Sequence, residues 1–183
     1  MKKIITTFTL ICFVTFVNAQ NFKALYEKIL TFDTQEQYDE ADKDILKAVD
    51  YLLTHEHNEK TENYKYALKS MIKWMDGTSK YAIIIGGKLA EDLSNKSLML
   101  NMYMAGMAKY LLTERFENNR YVDIQAQKEK NFMERDAVRE IQLNGAKIVL
   151  DYIENFAKIE PSKKIKKAIK AYKKDKLYSY MFD

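Results

Sequence analysis

Helix breakers are almost missing from this chain. It has one proline, Pro161, and five glycines in 183 residues. Sheets and loop-rich folds need both residue types for their turns. Lys, Glu, Leu, Ala and Met, which favour helix, are abundant. The expectation is an all-α chain of six or seven helices, with short connectors and antiparallel neighbours. Hydrophobic residues make up 47% and charged residues 31%, so the chain has the apolar content for a packed core and is not disordered.

The N-terminus stands apart from this pattern. Met1-Lys2-Lys3 is a short basic start, Ile4 to Val17 is an uncharged apolar run, and Val17-Asn18-Ala19 supplies short residues before Gln20. That is the layout of a secretory signal peptide cleaved after Ala19. The apolar run is too short for a comfortable membrane span. The expectation is an exported protein, periplasmic or secreted, with no transmembrane segment after cleavage and one helical domain over 20–183. The single cysteine, Cys12, lies inside the leader. Ile11 before it is not the small residue that a lipidation signal needs. The exported chain is therefore cysteine-free, with no disulfide, thiol nucleophile or thiolate metal site.

Periodicity gives the helices. Phe22, Leu25, Tyr26, Ile29 and Leu30 share one face of a short helix. Thr34-Gln35-Glu36-Gln37 fits a capping box before a helix bearing Tyr38, Ala41, Ile45, Ala48, Val49 and Leu52. A third helix opens at Thr61 or Glu62, carries Tyr64, Leu68, Met71, Ile72 and Met75, and closes at Gly77, read as a left-handed C-terminal glycine. Thr78 is read as the cap of a fourth helix reaching about Leu93. A strongly apolar helix follows Ser94 or Asn95 and runs to Leu112 or beyond. Asn118-Asn119 marks a break, and Asp123 to Ile159 reads as one long helix or two joined ones. Asn144-Gly145 is a candidate kink there. Pro161 is placed as the first residue of a last helix over 161–175. Stacked helical hairpins of tetratricopeptide type and an irregular bundle both suit this layout.

Trp74-Met75-Asp76-Gly77-Thr78-Ser79-Lys80-Tyr81 resembles, as a W-M-x-G-T-x-x-Y helix corner, a group of small secreted bacterial all-helical proteins of unknown function. The resemblance spans about Ala67 to Ala108. It implies an exported helical fold and brings no activity with it. The residues alone give a structural reading, with Trp74 and Tyr81 packed across the corner.

Catalytic motifs are absent: there is no G-x-S-x-G, no H-E-x-x-H and no phosphate-loop signature around Gly86-Gly87-Lys88. His55 and His57 are the only histidines. On a helix their spacing would point the rings about 200° apart, so a solvated turn is the better reading than a metal site. Met99, Met102, Met104 and Met107 could offer soft sulfur to copper, but they split between two sides of a helix. They read as filler in a buried central helix. Gly86, Gly87, Ala90, Ala105, Gly106 and Ala108 read as small residues that let helices approach closely. No metal, cofactor or enzymatic activity is expected.

Charge is the remaining feature. The formal charge is +4, and removal of Lys2 and Lys3 leaves +2. From Lys158 onward nine lysines face three acids, a local balance of +6 that leaves the rest of the exported chain near −4. Lys163, Lys164, Lys166, Lys167, Lys170, Lys173 and Lys174 are the candidate partner-binding residues. They suit an acidic protein face, anionic lipid or glycan, and nucleic acid is not an expected partner outside the cytoplasm. The leading expectation is a non-enzymatic binding or scaffold protein with a protein or peptide partner in the cell envelope. The alternatives are a surface binder acting through this lysine helix and an enzyme of unknown class.

Overall fold

The computed structural model describes residues 21–183, apart from 59, 95 and 96. The leader reading of residues 1–19, and Asn95 and Lys96 at the start of the apolar helix, lie outside the described residues. Eight α-helices are present among the described residues: α1 (Phe22–Ile29), α2 (Gln35–Thr54), α3 (Glu62–Gly77), α4 (Gly87–Leu93), α5 (Ser97–Glu117), α6 (Asp136–Asn155), α7 (Lys163–Tyr172) and α8 (Leu177–Phe182). A 3-10 turn covers Phe132–Glu134, and no strand occurs among the described residues. The fold is all-α, an irregular helical bundle.

Local signals explain several boundaries. Gln37 reaches back at the start of α2, where its Oε1 accepts from the N–H groups of Asp33 (2.8 Å) and Thr34 (3.1 Å). Ser162 caps α7 by accepting from the Ile165 N–H at 3.3 Å, so Pro161 sits just before the helix rather than as its first residue. A positive φ at Lys158 follows the end of α6 at Asn155. The eighth helix, α8, arises from Leu177 and Met181, which both turn into the core.

The helices stack as α1 on α3, α3 on α2, α2 on α5 and α5 on α6. Paired contacts show the first three of these pairs running antiparallel. Phe22 meets Ser70 and Tyr26 meets Tyr66. Asp42 meets Trp74, while Lys109 meets Asp50 and Lys43 meets Phe116. All the apolar residues assigned to the inner face of α2 are buried. In α3 the core face is rotated from the expected one. Tyr64, Ala67, Ser70, Met71 and Trp74 are buried, whereas Leu68, Ile72 and Met75 are only half-buried.

α5 is the central helix. Met99, Met102 and Met107 are fully buried, and Tyr64 donates its hydroxyl hydrogen to Met102 Sδ at 3.5 Å. α5 crosses α6 at two glycines. A Cβ on Gly106 would stand 2.6 Å from the Gly145 carbonyl oxygen, and one on Gly145 would stand 2.4 Å from Met107 Cγ. Gly145 is thus a crossing point, and α6 runs through it unbroken.

Three expectations need correction. Gly77 is the last residue of α3 and has no left-handed φ; it is glycine because a Cβ there would lie 2.0 Å from Tyr38 Cζ. Thr78 does not open a helix, since residues 78–86 are non-helical and α4 begins at Gly87. Tertiary bonds to α2 hold this segment out of helix. The stretch 118–131 is likewise turns rather than the start of a long helix, with left-handed Asn119 and Gln127. Asp123 Oδ1 accepts from Gln125 N–H at 2.8 Å, and Arg135 donates to the Ile124 carbonyl at 2.9 Å.

The helix crossing makes a direct prediction. Gly106→Ala and Gly145→Ala should each lower the unfolding free energy by about 1–3 kcal/mol through overpacking. The double variant should cost less than the sum, because either methyl alone forces the helices apart. Urea denaturation of the three variants measures this.

Candidate functional site

The W-M-x-G-T-x-x-Y segment is built around one carboxylate. Asp42, on the inner face of α2, is 4% exposed. It accepts from the Trp74 indole N–H at 3.0 Å and the Tyr81 hydroxyl at 2.6 Å. The Trp74 and Tyr81 rings pack at 5.3 Å. Two further bonds tie the same loop to α2. Gln35 Oε1 accepts from both the N–H (2.7 Å) and the hydroxyl (2.5 Å) of Ser79, and Lys80 pairs with Asp39.

Burial pushes the Asp42 carboxyl above its ordinary value; the Tyr81 and Trp74 bonds pull it down, and Asp39 pushes it up again. Burial and then the Asp42 bond hold the Tyr81 phenol far above its ordinary value. The Tyr81 hydrogen is therefore committed inward.

Tyr81 is also the floor of a cleft. Residues 79–82 form one wall and 121–125 the other, around a cavity of about 450 Å³. The Tyr81 and Tyr121 rings stand 6.0 Å apart. Tyr121 is 45% exposed, with the Arg115 guanidinium 4.7 Å from its centroid and Lys80 Nζ at 5.9 Å. Ile85 and Phe132 are also exposed, on the segments that lead away from the cleft. Both walls are non-helical, so no helical pattern in the sequence marks the cleft. The Trp-to-Tyr corner was the one available signal, and it marked only the floor.

The lysine helix α7 is docked on the bundle through Ile165, Ala168 and Ile169. Its lysines, with Lys173 and Lys174 just after it, all lie exposed, and they divide into two groups. Lys164 stands 3.5 Å from Asp92, Lys166 3.0 Å from Glu160, and Lys173 pairs with Glu154. Lys163, Lys167, Lys170 and Lys174 form no ion pair among the described residues. Asp92 is itself buried and takes bonds from Lys88 (2.7 Å) and the Tyr180 hydroxyl (2.6 Å). Burial pushes its carboxyl up, but the Lys88 and Tyr180 bonds outweigh this and hold it below its ordinary value.

The histidines do not converge. His55 stacks on Tyr51 at 4.0 Å, while His57 meets Tyr64 edge-on at 4.9 Å. His57 is half-buried, so the turn is only partly solvated. Among the described residues no group of three His, Cys, Asp or Glu side chains is arranged to hold a metal ion. Nor is any helix there long and apolar enough to cross a membrane. Comparison with protein-family models, with curated proteins and with solved structures gives no significant match.

The corner predicts a distinctive pH response. A carboxyl whose folded pKa lies above its unfolded value stabilises the fold below the unfolded pKa, and that contribution is lost as pH rises through the folded pKa. Asp42→Asn should therefore gain on the wild type as pH rises from the ordinary carboxylate range through the raised one, then level off. Tyr81→Phe removes a donor from the buried carboxylate and should cost about 1–3 kcal/mol at neutral pH. Denaturation of both variants across pH 3 to 8, about the range in which a carboxylate titrates, reads the two effects.

Proposed function

We propose that this chain is an exported, non-enzymatic binding or scaffold module of the cell envelope, and that it receives a protein or peptide partner in the cleft between residues 79–82 and 121–125. The observation that carries this reading is the division of labour at Tyr81. Its hydroxyl is locked to Asp42, while the residue lines a cavity beside the exposed Tyr121. A locked floor offers contact surface without an available proton. Rigid aromatic faces beside loop backbone suit recognition, since tyrosine gives large contact area at small entropic cost. Support for export is the leader pattern ending at Ala19, together with the resemblance of the Trp74–Tyr81 corner to small secreted helical proteins.

A second reading has its own observation. Four exposed lysines in and just after α7, Lys163, Lys167, Lys170 and Lys174, have no acidic partner among the described residues. They would suit an anionic lipid or glycan surface, with a strong salt dependence.

Export predicts that protein recovered from outside the cytoplasm begins at Gln20 by N-terminal sequencing; a start at Met1 would count against it. The cleft reading predicts that a photo-crosslinking benzoylphenylalanine at Tyr121 gives a discrete adduct in the envelope fraction, and that the same group at exposed Leu30 gives none. The adduct should survive physiological salt and Lys→Gln changes at the four unpaired lysines. Loss of the adduct under both conditions would favour the lysine surface.

A further inference from the structure

We infer that the cleft selects an extended peptide segment carrying an acidic side chain, with that carboxylate docked on Arg115. The inference rests on the cleft as the partner site and names the chemistry it would recognise.

Charge complementarity comes first. Four cations lie around this face, and two are already matched. Lys80 pairs with Asp39, and Arg120 pairs with Glu114 (2.6 Å) and Glu140. Arg115 is different. It donates to Asn119 Oδ1 at 2.8 Å, stacks on Tyr121, and meets no carboxylate among the described residues. A guanidinium lying over an aromatic ring keeps donors for an acceptor in its own plane, and a carboxylate can take two of them at once. Arg135, which donates to the Ile124 carbonyl at 2.9 Å and lies over Phe132, likewise meets no carboxylate among the described residues, so the rim holds two half-buried positive charges that the described residues leave unanswered, against one wall carboxylate, Asp123. A single fixed guanidinium fits one carboxylate; a charged surface would call for the spread of cations found on α7.

The backbone supplies the second argument. The Ser79 N–H is taken by Gln35, and Gln142 Nε2 holds the carbonyls of Ile84 (3.3 Å) and Gly86 (3.2 Å). Between these anchors, Lys80, Tyr81 and Ala82 line the cleft, and their N–H groups make no hydrogen bond to a described residue. A row of amide donors along the wall of a groove is what an added peptide strand pairs with. The wall is fixed at both ends before any ligand arrives, so little ordering cost remains at binding.

The test uses a fluorescein-labelled seven-residue peptide of alternating serine and valine with a central glutamate, blocked at both ends. Fluorescence anisotropy with the purified protein should show saturable binding at or below about 1 mM, the weak end of specific recognition. The glutamine counterpart should bind about tenfold more weakly, the scale of one charged hydrogen-bonded contact. Arg115→Gln should weaken the glutamate peptide by a similar factor and leave the glutamine peptide unchanged, with Arg115→Lys between them. Neutralising the four unpaired lysines in and just after α7 should change nothing. Amide exchange at Lys80 to Ala82 should slow when the peptide is bound. Thermal midpoints of the Arg115 variants confirm that they fold. Equal binding of the two peptides, indifference to Arg115, unprotected amides at Lys80 to Ala82, or no binding would each overturn the inference. If the Tyr121 adduct forms and the glutamate peptide does not compete with it, the partner site stands and only its acidic specificity fails. If no adduct forms, the site itself fails.

Discussion

Asp42 holds the part of this molecule that the helical pattern does not. A carboxylate inside a bundle loses its hydration and must be answered by donors. Here the donors come from a helix and from the loop after it, Trp74 and Tyr81. Both ring positions follow from that demand, and with them the path of residues 78–86. The loop cannot continue α3, because Ser79, Lys80 and Tyr81 are each bonded to α2. Tyr38 adds a steric condition from the same helix. Its ring occupies the space a side chain at position 77 would need. One face of α2 therefore sets where α3 stops, how the chain turns, and where the cleft floor lies.

Asp92 solves the same problem differently. It too is buried and takes a tyrosine hydroxyl, but its other partners are cations, Lys88 and Lys164. Its carboxyl is held below the ordinary range, whereas that of Asp42 is held above it. The contrast is physical. Neutral donors only partly replace the water lost on burial, while a cation at hydrogen-bond distance more than replaces it. The two sites also differ in what they join. Asp42 fixes a loop to a helix within the N-terminal half of the bundle. Asp92 reaches across to Lys164 of α7 and Tyr180 of α8, so it fastens the C-terminal helices.

Helix periodicity made most of the bundle legible from sequence. The inner face of α2 and the all-round apolar character of α5 could be read because each depends on spacing within one element. What could not be read depended on a second element. The small residues around Gly106 suggested a close helix approach, yet Gly145 looked like a kink; only the crossing shows that each glycine exists for the other. Thr78 has the chemistry of a helix cap, but bonds from α2 override it. The expected helix after Asp123 loses to turns closed by Asp123, Gln127 and Arg135. Composition marked the lysines in and just after α7 as basic, but could not tell the three that meet acids from the four that do not.

That division bears on where a partner would sit. A charged helix face is the usual way a helical bundle stays hydrated, and three of the seven lysines in and just after α7 are already paired with the chain's own acids. Charge density alone is thus a weak argument for a site. The cleft has a different character, because its features conflict with what stability asks for. Tyr121 is left exposed, and among the described residues Arg115 meets no acid and the wall amides meet no acceptor, all beside Tyr81, which Asp42 fixes. Loops held by a rigid scaffold are where binding residues concentrate. A local departure from packing rules on an otherwise consistent fold is expected at a functional site. The argument for the cleft therefore rests on the coincidence of these unmet groups within one concavity.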